Sequence, residues 1–422
     1  MLLSPALKAQ ELSGADTAWV LVSSVLVLLM TLPGVALFYG GMVRAKNVLS
    51  VFMQCLCIAA LVSIFWSLLG HSLAFAQGGA GPWLGGLSQV FLVHVNTKAL
   101  HGAIPEALWV FFQMTFAIIT CALIIGAVVE RMAFSALLLF TGLWVILAYA
   151  PVAHWVWGGG WLGGLGAIDF AGGTVVHINA GVAGLVAAIM VGPRQGWPHN
   201  PMIPHHLGDT FAGTALLWVG WMGFNGGSAL AAGGSAALAV LVTQVAASAG
   251  VLSWVIIEWI WHRRPSLLGA ASGAVAGLVA ITPASGSVNP AGALAIGVVA
   301  GVACFFGATR LKRIFRYDDA LDTFGVHAVG GIVGALLTGV FADPRLGGLG
   351  FGAGIASMGK QLAVQGLAVM ATISWDVAAT FAILTLVKRI VQIRVTPEEE
   401  ELGLDLALHE ERAYRLESEA KT

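Results

Sequence analysis

Two histidines, His177 and His327, stand inside long apolar runs. An ionisable side chain is costly to place in such surroundings and by default marks a functional site. Neutral imidazole offers one donor and one acceptor. Two adjacent rings can therefore share a proton and still present polar atoms to a passing molecule. The alternative is a buried, hydrogen-bonded pair that only locks two helices. A metal site fits less well, because no third Cys, His or carboxylate has suitable spacing. Each histidine follows an aspartate, Asp169 or Asp319, at the same interval. Asp169 precedes Gly172-Gly173-Thr174, where a carboxylate can accept N–H bonds at a helix start. Drawing cations toward a mouth is the other use of its charge. Asp319 and Asp322 are read as caps on the opposite side.

Aromatic residues gather around predicted outer helix ends: Phe111, Phe112 and Phe116, then Trp155 and Trp157, then Trp221 and Phe224. Interfacial Trp ordinarily anchors at the headgroups, and that reading covers most of the 15 Trp. Trp157 differs because it precedes Gly158-Gly159-Gly160, read as a flexible loop from which a ring can lean over a pore. Aromatic faces bind cations, best with Trp and at up to ~2 kcal/mol when desolvated. Ser228, just past Phe224, can add a hydroxyl acceptor. Ring faces plus one acceptor, without a carboxylate in contact, suit a small monovalent cation held weakly enough to leave.

The elements that position these residues follow from composition. Hydrophobic residues make up 58% of the 422 and charged residues 10%, against about 25% charged in a soluble domain. The bilayer must be the solvent for much of the chain. Eleven apolar stretches approach the ~20 residues a spanning helix needs: roughly 17–39, 49–75, 105–129, 133–155, 170–192, 205–230, 236–261, 267–283, 292–309, 324–342 and 362–387. Thirteen Lys and Arg fall in one set of alternate loops, among them Arg44, Arg131, Arg194, Arg310 and Arg313. Only Lys8, Lys98, Arg345 and Lys360 fall on the other side. The positive-inside rule then puts residues 1–16 outside and the acidic tail, 391–422, in the cytoplasm. Met1 to Ser13 makes a poor signal peptide, since Lys8 follows its apolar stretch. The 55 glycines suggest close helix packing, and Gly181 with Gly184, and Gly330 with Gly334, each share a helix face. Cys55, Cys57, Cys121 and Cys304 sit in apolar runs and read as small apolar residues.

The chain also aligns to itself at an offset of 150. Asp169 meets Asp319, Val176 meets Val326, His177 meets His327, Gly181 meets Gly331 and Gly184 meets Gly334. A second echo pairs Phe38-Tyr39-Gly40-Gly41 with Phe224-Asn225-Gly226-Gly227. Five spans separate each pair, so the halves, about 17–192 and 205–342, run in opposite directions. The predicted fold is an all-α polytopic membrane protein of eleven transmembrane helices, an inverted 5+5 repeat plus one extra helix. Substrate sites in such repeats tend to lie near the midplane.

Several stretches resemble the ammonium transporter (Amt/Mep/Rh) family, Amt branch. They are Phe38-Tyr39-Gly40-Gly41 through Ser50, Ala150-Pro151 through Gly160, Asp169 through His177, Gly223-Phe224-Asn225, Pro265 through Gly269, and Asp322 through His327. The resemblance runs from the first span into the tail. It implies eleven spans per subunit, a homotrimer with one pore per subunit, and no cofactor. It also implies roles: Phe112, Trp157 and Ser228 as an outer recruitment site with Gln113 beside it, Phe116 and Phe224 as a gate, His177 and His327 as the pore pair, and Asp169 as support for the recruitment region. The tail, Ile393 to Tyr414, resembles the family's cytoplasmic tail. That tail contacts neighbouring subunits and, in many bacteria, a PII-class signalling protein. Glu410 departs from the pattern, for the family often has Gly there.

The expected activity is recruitment of ammonium (methylammonium as analogue), deprotonation, and conduction of ammonia, with or without a coupled proton. The expected location is the inner (plasma) membrane. A sensor signalling through the tail is a rival, as is a neutral gas channel of Rh type. An enzyme is not expected, since no nucleophile–base set, nucleotide loop or metal cluster is present, and neither is a nucleic-acid partner.

Overall fold

The computed structural model describes residues 11–414. Lys8, Arg415 and Lys421, with most of segment 1–16 and the end of segment 391–422, lie outside the described residues. The helices in chain order are α1 (Gly14–Met42), α2 (Ala45–Phe75), α3 (Glu106–Val128), α4 (Phe134–Gly164), α5 (Gly173–Val191), α6 (Leu207–Gly227), α7 (Gly234–His262), α8 (Leu267–Ile281), α9 (Pro290–Phe315), α10 (Phe324–Phe341) and α11 (Met358–Ile390). The tail adds α12 (Pro397–Leu402) and α13 (Leu404–His409). Nine of the described helices are long and apolar enough to cross a membrane. The other two of the first eleven, α6 and α8, fall where the sixth and eighth spans are predicted. Asp209 and a run of glycines make α6 less apolar, and Pro283 follows the end of α8. Among the described residues, β structure is limited to a short hairpin in the α2–α3 connection, β1 (Leu100–His101) against β2 (Ile104–Pro105), and an isolated bridge between Met132 and Arg394.

The composition makes sense once the outward faces are read. Leu21 and Val25 of α1, Leu56 of α2, Ile256 of α7 and Met370 of α11 are exposed. In lipid, apolar side chains in those places are already solvated, and helix association rests on close packing instead. The glycines supply it. A Cβ on Gly181 of α5 would sit 2.4 Å from the backbone N of Ala328, and one on Gly331 of α10 would sit 2.9 Å from a side-chain carbon of Ile178. Those two contacts exchange under the offset of 150, so α5 and α10 pack on each other reciprocally. Gly334 meets the backbone of Ala280 in α8 in the same fashion, at 2.2 Å.

Two arginines counted as loop charges do something else. Arg194 is 5% exposed and Arg131 fully buried. Arg194 donates to Asp318 Oδ2 at 2.9 Å, to Asp318 Oδ1 at 2.8 Å and to Glu130 Oε2 at 2.8 Å. Arg44 reaches Glu130 Oε1 at 2.9 Å. Arg131 donates to the backbone carbonyls of Gly192 and Asp318 at 2.7 and 2.5 Å. Four interhelix connections are thereby tied together at one end of the bundle.

The tail returns to that end. Val395 N–H donates to the Arg131 carbonyl at 3.0 Å, and Ala133 N–H to the Ile393 carbonyl at 3.1 Å. Asp405 accepts from Leu49 N–H at 3.1 Å and Ser50 N–H at 2.7 Å, capping the start of α2. Thr396 and Glu399 form a reciprocal capping box at the start of α12. Glu410 takes φ 56°. That left-handed conformation is one glycine adopts freely, which gives a physical reason for the glycine expected there and leaves this chain with strain at the position.

Candidate functional site

Both histidines ride on π-helical turns at equivalent places: Gly173–Ile178 in α5 carries His177, and Phe324–Ala328 in α10 carries His327. Such wide turns recur at functional sites. The aspartates hold them. Asp169 accepts from the N–H groups of Gly172 at 2.9 Å, Gly173 at 2.5 Å, Thr174 at 2.8 Å and Val175 at 3.1 Å, and from the Thr174 hydroxyl. Asp319 accepts from Thr323 N–H at 3.0 Å and Phe324 N–H at 2.7 Å. Burial, together with the charge of Asp322, pushes the Asp319 carboxyl up to about 6 against the pull of Lys312. Asp169 also fixes the mouth, because its backbone carbonyl accepts from Trp157 Nε1 at 2.8 Å.

One cavity of about 580 Å³ opens at the end of the bundle expected to lie outside, and Phe112, Gln113, Phe116, Trp157 and Ser228 all line it. Asp169 stands behind Trp157 and does not line it. The Ser228 hydroxyl donates to the Phe224 carbonyl at 2.8 Å, leaving its oxygen lone pairs as acceptors. Gln113 is 6% exposed, and its Oε1 has no hydrogen-bond partner among the described residues. Gly158-Gly159-Gly160 is not the flexible loop expected. A Cβ on Gly158 would lie 2.0 Å from the Ala74 carbonyl oxygen, and one on Gly160 2.5 Å from Trp155 Cα. Gly159 has φ +84°. These glycines let the turn lie flat against its neighbours and so hold Trp157 in one place.

Below the cavity the rings form a column. Phe116 meets Trp157 edge-on at 5.8 Å and stacks on Phe224 at 4.2 Å. Phe224 lies 6.1 Å from His177, and His177 stacks on His327 at 5.4 Å with 17° between the planes. His327 in turn lines a second cavity of about 390 Å³ at the end that carries Arg194, Lys312 and Arg313. Phe38 lines that second cavity too, while its echo Phe224 stacks on Phe116, which lines the first. Both imidazoles are buried, and neither ring nitrogen of His177, nor Nδ1 of His327, has a protein hydrogen-bond partner among the described residues. The pair therefore does not lock its helices through ring hydrogen bonds to protein. It presents free polar atoms in a ring-lined constriction between two cavities.

Two residues escaped the sequence reading. Trp221 is 1% exposed, not interfacial; it stacks on His177 at 5.3 Å and donates to Thr282 Oγ1 at 2.9 Å. Its spacing, three residues before Phe224 and so on the same helix face, is a signal that could have marked it. Asp376, fully buried in α11, accepts from Trp144 Nε1 at 3.1 Å and from Thr380 at 3.1 Å. A lone carboxylate in an apolar run was visible from the start.

Removal of the Asp169 carboxylate tests the support of this column. In Asp169→Ala, buried N–H groups at the start of the His177 turn lose their acceptor, at about 1–3 kcal/mol each before relaxation. The expected result is a loss of at least about 2 kcal/mol of stability on that scale, with transport falling in parallel. Asp169→Asn keeps one acceptor and should fall between Ala and wild type. If negative charge alone mattered, Asn and Ala would be equally impaired in transport assays on reconstituted protein.

Comparison with known proteins adds to the geometry. A sequence model described as the Ammonium Transporter Family matches residues 18–414. An ammonium transporter of Bacillus subtilis (strain 168) is 49% identical over 402 residues, covering 95% of this chain and 98% of the relative. An ammonium transporter of Aquifex aeolicus (strain VF5) is 47% identical, covering 96% and 95%. Among solved structures, one named Sensor Amt Protein superposes with a TM-score of 0.88 at 31% identity, covering 94% of this chain and 98% of that one. Mep2 of Candida albicans superposes with a TM-score of 0.84 at 34% identity, covering 92% and 88%.

Proposed function

Since the chain belongs to the ammonium transporter family, we propose that this multi-pass membrane protein admits ammonium at the ring-lined cavity, strips a proton from it and passes ammonia between its two histidines. Ammonium and potassium share charge and approximate size, so charge alone cannot separate them. A bare ion entering an apolar constriction loses many kcal/mol of hydration. Ammonium alone can shed a proton and cross neutral. In this reading Phe112, Trp157 and Ser228 hold the cation, with Gln113 at the wall. Phe116 and Phe224 part to admit it, and His177 and His327 supply the donor and acceptor that the dehydrated solute needs.

The observation that carries the reading is the near-parallel imidazole pair, buried and, among the described residues, without protein partners at three of its ring nitrogens, between two cavities. The test is current on ammonium addition to oriented liposomes, recorded beside ammonia flux. Current proportional to flux supports proton-coupled transport. Flux without current leaves the proton outside. Absence of both in folded protein overturns the proposal.

The finer placement follows the same logic. The concentration of Lys and Arg at the end lined by His327 supports a cytoplasmic face there, residues 1–16 outside, and the inner (plasma) membrane as location. Residues 17–390 then form the transport domain and 391–422 a regulatory tail. A homotrimer and a PII-class partner at the tail belong to this proposal as family expectations. The reading needs no covalent catalysis, so the chain is not taken for an enzyme. The neighbour named Sensor Amt Protein, with the bonds from the tail to α2, favours sensing as the second reading. Full transport by protein lacking residues 391–422 would make conduction the main task.

A further inference from the structure

The cavity that opens onto Trp157 contains a carboxylate that the aromatic reading does not use. Glu106, the first residue of α3, is 8% exposed and lines the same cavity as Phe112, Gln113, Trp157 and Ser228. Its partners are imidazoles. His94 Nε2 lies 3.3 Å from Oε1, and His101 Nδ1 lies 3.8 Å from Oε2. Both rings are held by stacking: His94 on His71 at 5.6 Å and 18°, His101 on Trp109 at 4.1 Å and 5°. The carboxylate is thus positioned by two braced rings. Among the described residues no Lys or Arg forms an ion pair with it. Burial holds the His101 imidazole below its ordinary value, with Glu106 pulling the other way.

A carboxylate placed at a helix start can be only a favourable charge for the helix dipole. The rest of this cavity wall points further. Gln113 Oε1 and both ring nitrogens of His71 are buried without hydrogen-bond partners among the described residues, and the two residues are 6% and 1% exposed. A negative charge together with the Gln113 oxygen and the one acceptor nitrogen of a neutral imidazole on the wall of one cavity is what a small cation shedding part of its water would need. Clefts lined by one sign of charge also raise the local concentration of the opposite ion.

We infer that Glu106 forms an antechamber, a second cation site in the same cavity that concentrates ammonium for the Trp157 rings. The inference rests on the reading of this cavity as the ammonium mouth, and the experiment separates the two. Full-length protein in liposomes is assayed with methylammonium at an ionic strength of about 10 mM, where the screening length is about 30 Å. Glu106→Gln should raise the half-saturating concentration about tenfold, the low end of electrostatic focusing, with the maximal rate kept. Glu106→Asp should recover part of the loss. His94→Lys sets a permanent positive charge against an intact Glu106 and should raise half-saturation likewise, so the test survives if Glu106→Gln does not fold. Each difference should shrink as salt is added.

An unchanged half-saturation in folded Glu106→Gln and His94→Lys overturns the antechamber. So does a fall in maximal rate alone. Trp157→Leu is the control for the mouth itself. If it raises half-saturation while the other two are silent, only the antechamber fails. If all three are silent, the reading of the cavity fails with it.

Discussion

Replacing His177 with leucine is expected to slow ammonium-driven transport by about 30–1,000-fold while the protein stays folded. Leucine fills space of similar size but offers no donor or acceptor. A small polar molecule entering that stretch unpaired loses about 2–4 kcal/mol, and each 1.4 kcal/mol is a factor of ten in rate. His177 stacks on Trp221, Phe224 and His327, so the apolar contacts of the column largely survive. His327→Leu should act alike, and the double variant should be little worse than either single one. The solute must pass both stacked rings in one constriction, and residues acting as a unit are not additive. Stopped-flow or current measurement on reconstituted protein decides this. A His177→Leu rate within threefold of wild type would remove the imidazoles from the mechanism.

Arg194→Ala should have the largest effect on stability, a loss of about 3–5 kcal/mol. The guanidinium serves Asp318 and Glu130, and all three side chains are 5% exposed or less. Its removal leaves two carboxylates buried, with Arg44 and Asn47 as the remaining side-chain partners of Glu130 among the described residues. Burial alone would push the Glu130 carboxyl up, but Arg194 and Arg44 outweigh it and hold the group below its ordinary value. Asp318 is likewise held low by Arg194 against burial. For acids held low by folding, the stabilisation is complete at neutral pH. It fades as pH falls below the ordinary carboxylate range, about 4. Thermal melts in detergent should show the loss at pH 7 and a smaller difference from wild type at low pH. Combining Arg194→Met with Glu130→Gln and Asp318→Asn should recover most of it, because the cost lies in uncompensated charge. A triple variant as unstable as Arg194→Ala would contradict that account.

The spans, the offset of 150 and the histidine pair were legible because bilayer thickness and the cost of buried imidazole both mark the sequence directly. The ring column was legible only through family resemblance, since no spacing rule brings Phe116 of α3 against Phe224 of α6. The π-helical turns were not legible at all. They shift backbone bonding by one residue and need no special side chain. Arg131 and Arg194 were counted as loop charges, yet they are interior ties; a charge rule scores position along the chain and cannot see which carboxylates fold around it. Trp221 looked interfacial because aromatic residues at a helix end and beside a pore have the same local pattern. The His94–Glu106–His101 group lies in and beside an irregular connection, where periodicity carries no information.

The aspartate that opens each histidine turn acts as a ruler. It fixes where the turn begins, and the constant interval to the imidazole fixes the direction in which the ring points. Adding one residue inside that interval would swing the ring by about 100°, the angle between neighbours on a helix, and aim it into a packed wall. Length changes can therefore accumulate in the connections between helices, but not between Asp169 and His177, nor between Asp319 and His327.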